Sequence, residues 1–167
     1  MTEPGPETHL IVDLSSQRLR VLAGSGALRE YSVSTATRGA GEMTGSRQTP
    51  RGQHVIRAKI GAGAPPGAVF VGRRPTGEIW SPELAARFPA RDWILSRILW
   101  LSGTEVGRNR LGNVDTMRRY IYIHGTPALE PMGVAASHGC IRMRNSDVIQ
   151  LFDLVNVGTR ILIQEDA

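Results

Sequence analysis

The sequence predicts a mostly β fold in a single domain, with one or two short helices. Short apolar runs separated by turn residues fill the beginning and the end of the chain. Only two stretches carry the capping and spacing signals of helices. The length, 167 residues, suits one domain with a sizeable core, and no internal repeat or second-domain boundary divides it.

Residues 1–7 are polar and rich in Pro and Gly and read as a flexible N-terminal tail, which leaves 8–167 as the domain. Leu10-Ile11-Val12, then Leu19 to Leu22, then Leu28 to Val33 form a three-stranded meander. Residues 35–49 are a long Gly/Ser/Thr-rich loop, and Thr49-Pro50-Arg51-Gly52 leads into a strand over 53–60. The middle, 61–118, is less regular. Ser81-Pro82-Glu83 opens a short helix that ends before Pro89. Residues 93–101 are apolar almost throughout, which fits a buried strand or a helix equally. The three tryptophans, Trp80, Trp93 and Trp100, fall in this section and are assigned to core packing. Residues 119–124 alternate, with Ile121 and Ile123 on one face and Tyr120, Tyr122 and His124 on the other. Asn145 or Ser146 caps a helix with Val148, Leu151, Phe152 and Val155 on its apolar stripe; Gly158 turns the chain into a last strand at Ile161 and Ile163.

Composition excludes several functions. A single cysteine, Cys140, rules out an internal disulfide framework and any multi-cysteine zinc module, and four histidines leave few metal architectures. No run approaches the roughly 18–20 apolar residues of a membrane helix. The net charge of +5 is spread along the chain without basic blocks or basic–aromatic repeats, so no nucleic-acid partner is expected, whereas a small acidic substrate is compatible. The N-terminus lacks the charged start and apolar stretch of a signal peptide. If Met1 is the native start, a cytoplasmic location follows; if a preceding segment has been removed, a periplasmic or cell-wall one.

The single thiol lies in Ser137-His138-Gly139-Cys140-Ile141-Arg142-Met143. A structural cysteine sits among apolar neighbours, but here a histidine, a glycine and an arginine lie within two residues. A catalytic thiol needs a base or a positive field, and a backbone free to offer N–H groups to an oxyanion. Upstream, Ile123-His124-Gly125-Thr126 places a histidine at a strand end before a turn, where a rigid scaffold can hold it. Cys140 and His124 form a candidate pair, although no Asp or Asn is evident as a third member. A purely structural cysteine, or a metal site using His124, His138 and Cys140, accounts for the same residues; the metal reading lacks a fourth ligand and a known spacing.

These segments resemble the signature of the L,D-transpeptidase catalytic domain, the YkuD family. Val12-Asp13-Leu14-Ser15-Ser16-Gln17, Thr49-Pro50-Arg51-Gly52 and Gly158-Thr159 agree in order, so the resemblance covers residues 8–164. It implies a β-sandwich of mixed sheets in which 61–118 is a variable insertion covering the cleft. It also implies Cys140 as nucleophile toward the bond between the third residue and terminal D-alanine of a peptidoglycan tetrapeptide stem. His124 would be the base, oriented by the Gly125 carbonyl, and the backbone of His138, Gly139 and Cys140 would form the oxyanion hole. Ser137, Arg142 and Tyr122 are the substrate-side candidates, Ser137 and Arg142 either supporting the site or holding a carboxylate. Some members carry Asn where this chain has Arg142. No cofactor or metal is implied, and carbapenems are expected to acylate Cys140. An amine acceptor would give 3-3 cross-links; water would give L,D-carboxypeptidase trimming, as in wall recycling. The alternatives are a Cys/His metal-binding domain, a catalytically inactive murein-binding module, and a cysteine hydrolase of unrelated amides.

Overall fold

The computed structural model describes residues 8–24 and 26–165; the expected tail at 1–7 lies outside them. The meander forms as expected: β1 (His9–Asp13), β2 (Arg18–Ala23) and β3 (Gly26–Ser32) pair antiparallel in sequence order. Ten strands join one mixed sheet in the order β3-β2-β1-β10-β4-β7-β5-β6, with β8 on β7 and β9 on β8. β4 spans Gly52–Ile60, β5 Ala68–Val71, β6 Arg74–Ile79, β7 Ile94–Gly103, β8 Tyr122–Thr126, β9 Ile141–Arg144 and β10 Arg160–Gln164. Two pairings are parallel, β1 with β10 and β8 with β9, and the others are antiparallel.

The sheet curls until its ends meet. Just beyond β3, Ser34 and Arg142 of β9 exchange N–H···O bonds of 2.9 and 2.8 Å. One continuous core fills the curl, including Leu10, Leu19, Ile56, Leu99, Ile123 and Ile141, all fully buried. The helix α2 (Asn145–Leu154) adds Val148, Leu151 and Phe152 to that core. Its expected cap is not made. Arg144 occupies the N-cap position without a side-chain bond, while Asn145 lies within the helix and its Oδ1 accepts the Ser96 hydroxyl at 2.7 Å. By contrast, Ser81 caps α1 (Pro82–Arg87), accepting the Leu84 N–H at 3.1 Å.

The apolar run at 93–101 is a strand, and its lack of periodicity has a physical cause. β7 is covered on both faces: Leu99 and Leu101 enter the main core, whereas Ile98 and Trp100 join a second cluster with Phe70, Tyr122 and Cys140. Along one edge β7 pairs first with β5 and then with β4. The β5–β6 hairpin was not anticipated in the sequence. Its two-residue turn, Gly72-Arg73, has φ of +56° and +65°, the positive-φ pair that suits tight hairpins. A bulge separates Leu95 from Ile98 opposite β8, and within it the buried Ser96 adopts φ +72°.

The Ser96 hydroxyl also accepts the Gly67 N–H at 2.9 Å, so it ties the bulge to both the 61–67 loop and α2. A left-handed conformation costs a non-glycine residue about 1–2 kcal/mol, and leaving such buried partners unpaired costs about 1–3 kcal/mol. Ser96→Ala keeps the backbone cost and loses both bonds, whereas Ser96→Gly loses the bonds but relieves the backbone. Denaturant unfolding is therefore expected to show both variants destabilised, with Gly the more stable of the two by about 1 kcal/mol. Equal stabilities would mean that the bulge is unstrained.

Candidate active site

Parallel pairing of β8 with β9 brings the two sequence segments together. The register sets Ile123 opposite Ile141 and His124 opposite Arg142, so Cys140, just before β9, is brought beside Tyr122. The Tyr122 N–H points at Cys140 Sγ at 3.3 Å, and the thiol in turn donates to the Tyr120 carbonyl at 3.4 Å. The turn that presents the thiol is fastened internally. Ser137 Oγ donates to the Cys140 carbonyl at 2.6 Å and accepts the Gly139 N–H at 3.2 Å. Gly139 has φ +134°, and a Cβ there would press on Ile121 and the Gln48 carbonyl at 3.3 and 3.4 Å. Thr49, from the Thr-Pro-Arg-Gly segment, donates its hydroxyl to the Gly139 carbonyl and accepts the Ala36 N–H, both at 3.0 Å.

His124 is fully buried. Its Nδ1 lies 2.6 Å from the Gly125 carbonyl, and because a carbonyl can only accept, Nδ1 carries the hydrogen. Nε2 is then the lone-pair acceptor, and it has no hydrogen-bond partner. The missing third member is thus a main-chain carbonyl, which leaves no trace as an Asp or Asn in the sequence. Gly125 is dictated by packing, since a Cβ there would collide with Asn145 Oδ1 and approach the Leu95 carbonyl to 2.6 Å.

Burial dominates the electrostatics. It lowers the pKa of His124, partly opposed by the Gly125 hydrogen bond, so the ring is neutral. It pushes the Cys140 thiol up to about 12, with the Tyr122 N–H and Arg142 and Arg119 pulling the other way. The resting pair is therefore a neutral thiol and a neutral imidazole, not yet hydrogen-bonded to each other.

The other expected residues take distinct places. His138 is exposed, at the rim of a cavity of about 300 Å³ shared with Asp92, Trp93, Glu130 and Arg142. Arg142 is nearly buried and its guanidinium is occupied: Asp92 at 3.1 Å, Glu130 at 3.5 Å and the Ala136 carbonyl at 3.1 Å. Of the two roles expected for it, this geometry fits support rather than a grip on a substrate carboxylate. Ser137, 2% exposed, is likewise engaged in the turn. The Tyr122 hydroxyl accepts from Arg73 at 2.9 Å, and its ring meets Trp100 edge-on. Trp93 is core, as expected for the tryptophans, but Trp100 forms part of the floor beside the thiol. No set of three His, Cys, Asp or Glu side chains among the described residues is grouped to hold a metal, and His124, His138 and Cys140 form no such group.

Sequence reasoning missed Arg73, Asp92 and Arg119. Arg119 reaches from below the thiol to the carbonyls of Gly41 and Gln48 at 3.2 and 2.5 Å, bracing the loop that carries Thr49. Each lies far in sequence from the motif it serves, and only the Gly72-Arg73 turn left a local signal.

The curled mixed β sheet is the fold of solved L,D-transpeptidases. Solved structures agree in fold: L,D-transpeptidase 3 from Mycobacterium tuberculosis (TM-score 0.59, 16% identity, covering 96% of this chain and 62% of that one) and an L,D-transpeptidase from Mycobacterium smegmatis (TM-score 0.55, 21% identity, 95% and 58%). The chain belongs to the YkuD family, the L,D-transpeptidase catalytic domain, which it matches over residues 7–163. Among curated relatives, it is 52% identical over 44 residues to the putative L,D-transpeptidase YqjB of Bacillus subtilis, covering 26% of this chain and 25% of the relative. It is 53% identical over 45 residues to the probable L,D-transpeptidase ErfK/SrfK of Escherichia coli, covering 27% and 14%. The matched stretches thus span a quarter or less of these relatives.

The resting state can be tested by alkylation. Below its pKa a thiol gains thiolate about tenfold per pH unit. Iodoacetamide labelling of Cys140 is expected to climb in that way from pH 7 to pH 10 without a plateau. A plateau below pH 8 would show a preformed thiolate–imidazolium pair instead.

Proposed function

We propose that the domain is a cysteine acyltransferase acting on the bond between the third residue and terminal D-alanine of peptidoglycan tetrapeptide stems. The observation that carries this reading is the buried His124 ring, with Nδ1–H fixed on Gly125 and a free Nε2, one strand from the single thiol. A buried nitrogen without a partner is costly and is retained where a proton must be accepted.

On substrate binding the thiol turns from the Tyr120 carbonyl toward His124 Nε2, which takes its proton. Apo active sites often show such catalytic bonds long and tightening only in the complex. The thiolate attacks the carbonyl carbon, and the oxyanion is met by main-chain amides of the turn at His138 and Cys140, that of Gly139 being held by Ser137. The tetrahedral intermediate expels D-alanine, whose nitrogen receives the proton from His124 Nε2. A thioester remains on Cys140. An amine from another stem resolves it to a 3-3 cross-link; water resolves it to a tripeptide, with His124 again the base. Both outcomes share this first half-reaction.

Mass spectrometry of purified protein with disaccharide-tetrapeptide is expected to show D-alanine release and either dimer or tripeptide. Cys140→Ala should lower the rate at least about a thousandfold, and His124→Ala about 10²–10⁴-fold. A solved relative, LdtMt1, is in complex with imipenem, and a carbapenem is expected to add its full mass to Cys140 here. Unchanged tetrapeptide under all acceptor and pH conditions would refute the reading.

The β5–β6 hairpin, within the 61–118 segment, is proposed to cover the cleft. Its Arg73 lies over Tyr120 and Trp100, at 4.8 and 4.7 Å from the ring centres. Arg73→Ala should uncover the thiol and raise its alkylation rate several-fold at constant pH. An unchanged rate would remove the hairpin from that role.

A further inference from the structure

The face of β7 that holds the thiol continues past it. Ile98, Trp100 and Ser102 alternate along that face, and beyond Trp100 it opens into a cavity of about 420 Å³, larger than the one beside Arg142. Arg57 from β4 and Arg110 and Arg118 from the loop after β7 line it. Among the described residues none of these guanidinium groups is in an ion pair. The carboxylate in the lining, Asp115, accepts the Leu111 and Arg118 N–H groups at 2.7 and 2.9 Å and also feels the Arg118 charge, without forming an ion pair with it. Ser102 Oγ, also in the lining, is buried without a hydrogen-bond partner.

The cavity is coupled to the thiol through shared parts. Arg57 stacks over the Trp100 ring at 5.4 Å, and Trp100 Nε1 donates at 3.1 Å to the carbonyl of Met117 in the cavity wall. Trp100 pairs with Tyr122, whose N–H touches Cys140 Sγ. Two strand spacings of about 4.8 Å, from Cys140 past Tyr122 to Trp100, and two residues of about 3.3 Å along β7 at right angles to them, place the cavity on the order of 12 Å from Cys140. That lies within the extended length of a tetrapeptide, about 13 Å. Unpaired guanidinium groups around a partly enclosed space are suited to carboxylates, which arginine binds in bidentate fashion.

We propose that this cavity is an anion subsite that holds a side carboxylate of the stem peptide, on the side of the attacked carbonyl away from D-alanine. The proposal rests on the reading of Cys140 as the acylated residue, and its test is separate from turnover. Cys140→Ala protein is titrated with a stem tetrapeptide whose side carboxylates are free and with the same peptide amidated at those positions, and binding is followed calorimetrically and by shifts of the Ser102 and Arg118 amide signals. The free-carboxylate peptide is expected to bind at least tenfold more tightly and to move those signals. In an Arg57→Gln/Arg118→Gln background that preference should disappear, the amidated peptide being little affected. Iodoacetamide labelling of the same double variant with Cys140 intact checks that the thiol site is undisturbed. Equal affinity for the two peptides, or an equal loss for both in the double variant, would overturn the subsite. Inorganic pyrophosphate binding there without any preference between the peptides would overturn it too, marking a site for free anions. Carboxylate preference in a protein that never releases D-alanine would uphold the subsite and sink the catalytic reading instead.

Discussion

The site depends on one hydrogen bond from side chain to backbone, from His124 Nδ1–H to the carbonyl of the next residue. A side-chain orienter can be held by its own rotamer and neighbours. A carbonyl one residue away is placed only by the course of the main chain, so the ring's tautomer is as secure as the path of β8 through Gly125. That path is closely confined. The Leu95 carbonyl and Asn145 Oδ1 stand where a side chain would be. The bulge that carries Leu95 is pinned by Ser96 to Asn145 and to the Gly67 loop. The left-handed Ser96 and the uncapped start of α2 are then two aspects of one arrangement: Asn145 is withdrawn from capping because its carboxamide closes the wall behind Gly125.

The charges around the thiol are arranged in opposition. Arg142 and Arg119 favour a thiolate, while Asp92 and above all burial oppose it. Arg142 is itself compensated by Asp92 and Glu130, so little of its positive field is left over for the sulfur. A group so placed keeps its proton until something changes the surroundings. In the proposed reaction, a substrate carbonyl filling the cleft would displace the Tyr120 contact and bring the thiol to a ring that is neutral and has a free lone pair. The same desolvation that disfavours the thiolate also keeps the imidazole neutral. This arrangement limits oxidation of a lone cysteine, since the reactive form of a thiol is the thiolate.

Much of this was legible in the sequence, and the remainder has identifiable causes. The meander, β4, the first helix cap and the final strand follow local rules of spacing and turn chemistry, and they form where those rules place them. Strand β7 was ambiguous because both of its faces are covered, which erases the period on which a strand assignment relies. The α2 cap failed for a different reason: a long-range partner, Ser96, outcompetes the local N–H groups for Asn145. At the site, Cys140 and His124 stood out by context, and their convergence followed from family resemblance, because parallel pairing of segments so far apart has no local signature. Arg73, Asp92 and Arg119 act across tertiary contacts alone. Ser137 and Arg142 were visible, yet whether they hold substrate or the protein itself is decided by partners such as Glu130 that sequence does not reveal.

Net charge, uninformative as a sum, gains meaning from where it falls. Arginines that pair with carboxylates, such as Arg20 with Asp13 and Arg51 with Glu42, brace the framework. Of those that do not, four follow one track, Arg73 over the aromatic floor, then Arg57 on Trp100, then Arg110 and Arg118 around the cavity, whereas others such as Arg29, Arg38 and Arg160 lie elsewhere. If the proposed subsite holds, these four arginines are the part of the +5 balance that would meet an acidic peptide.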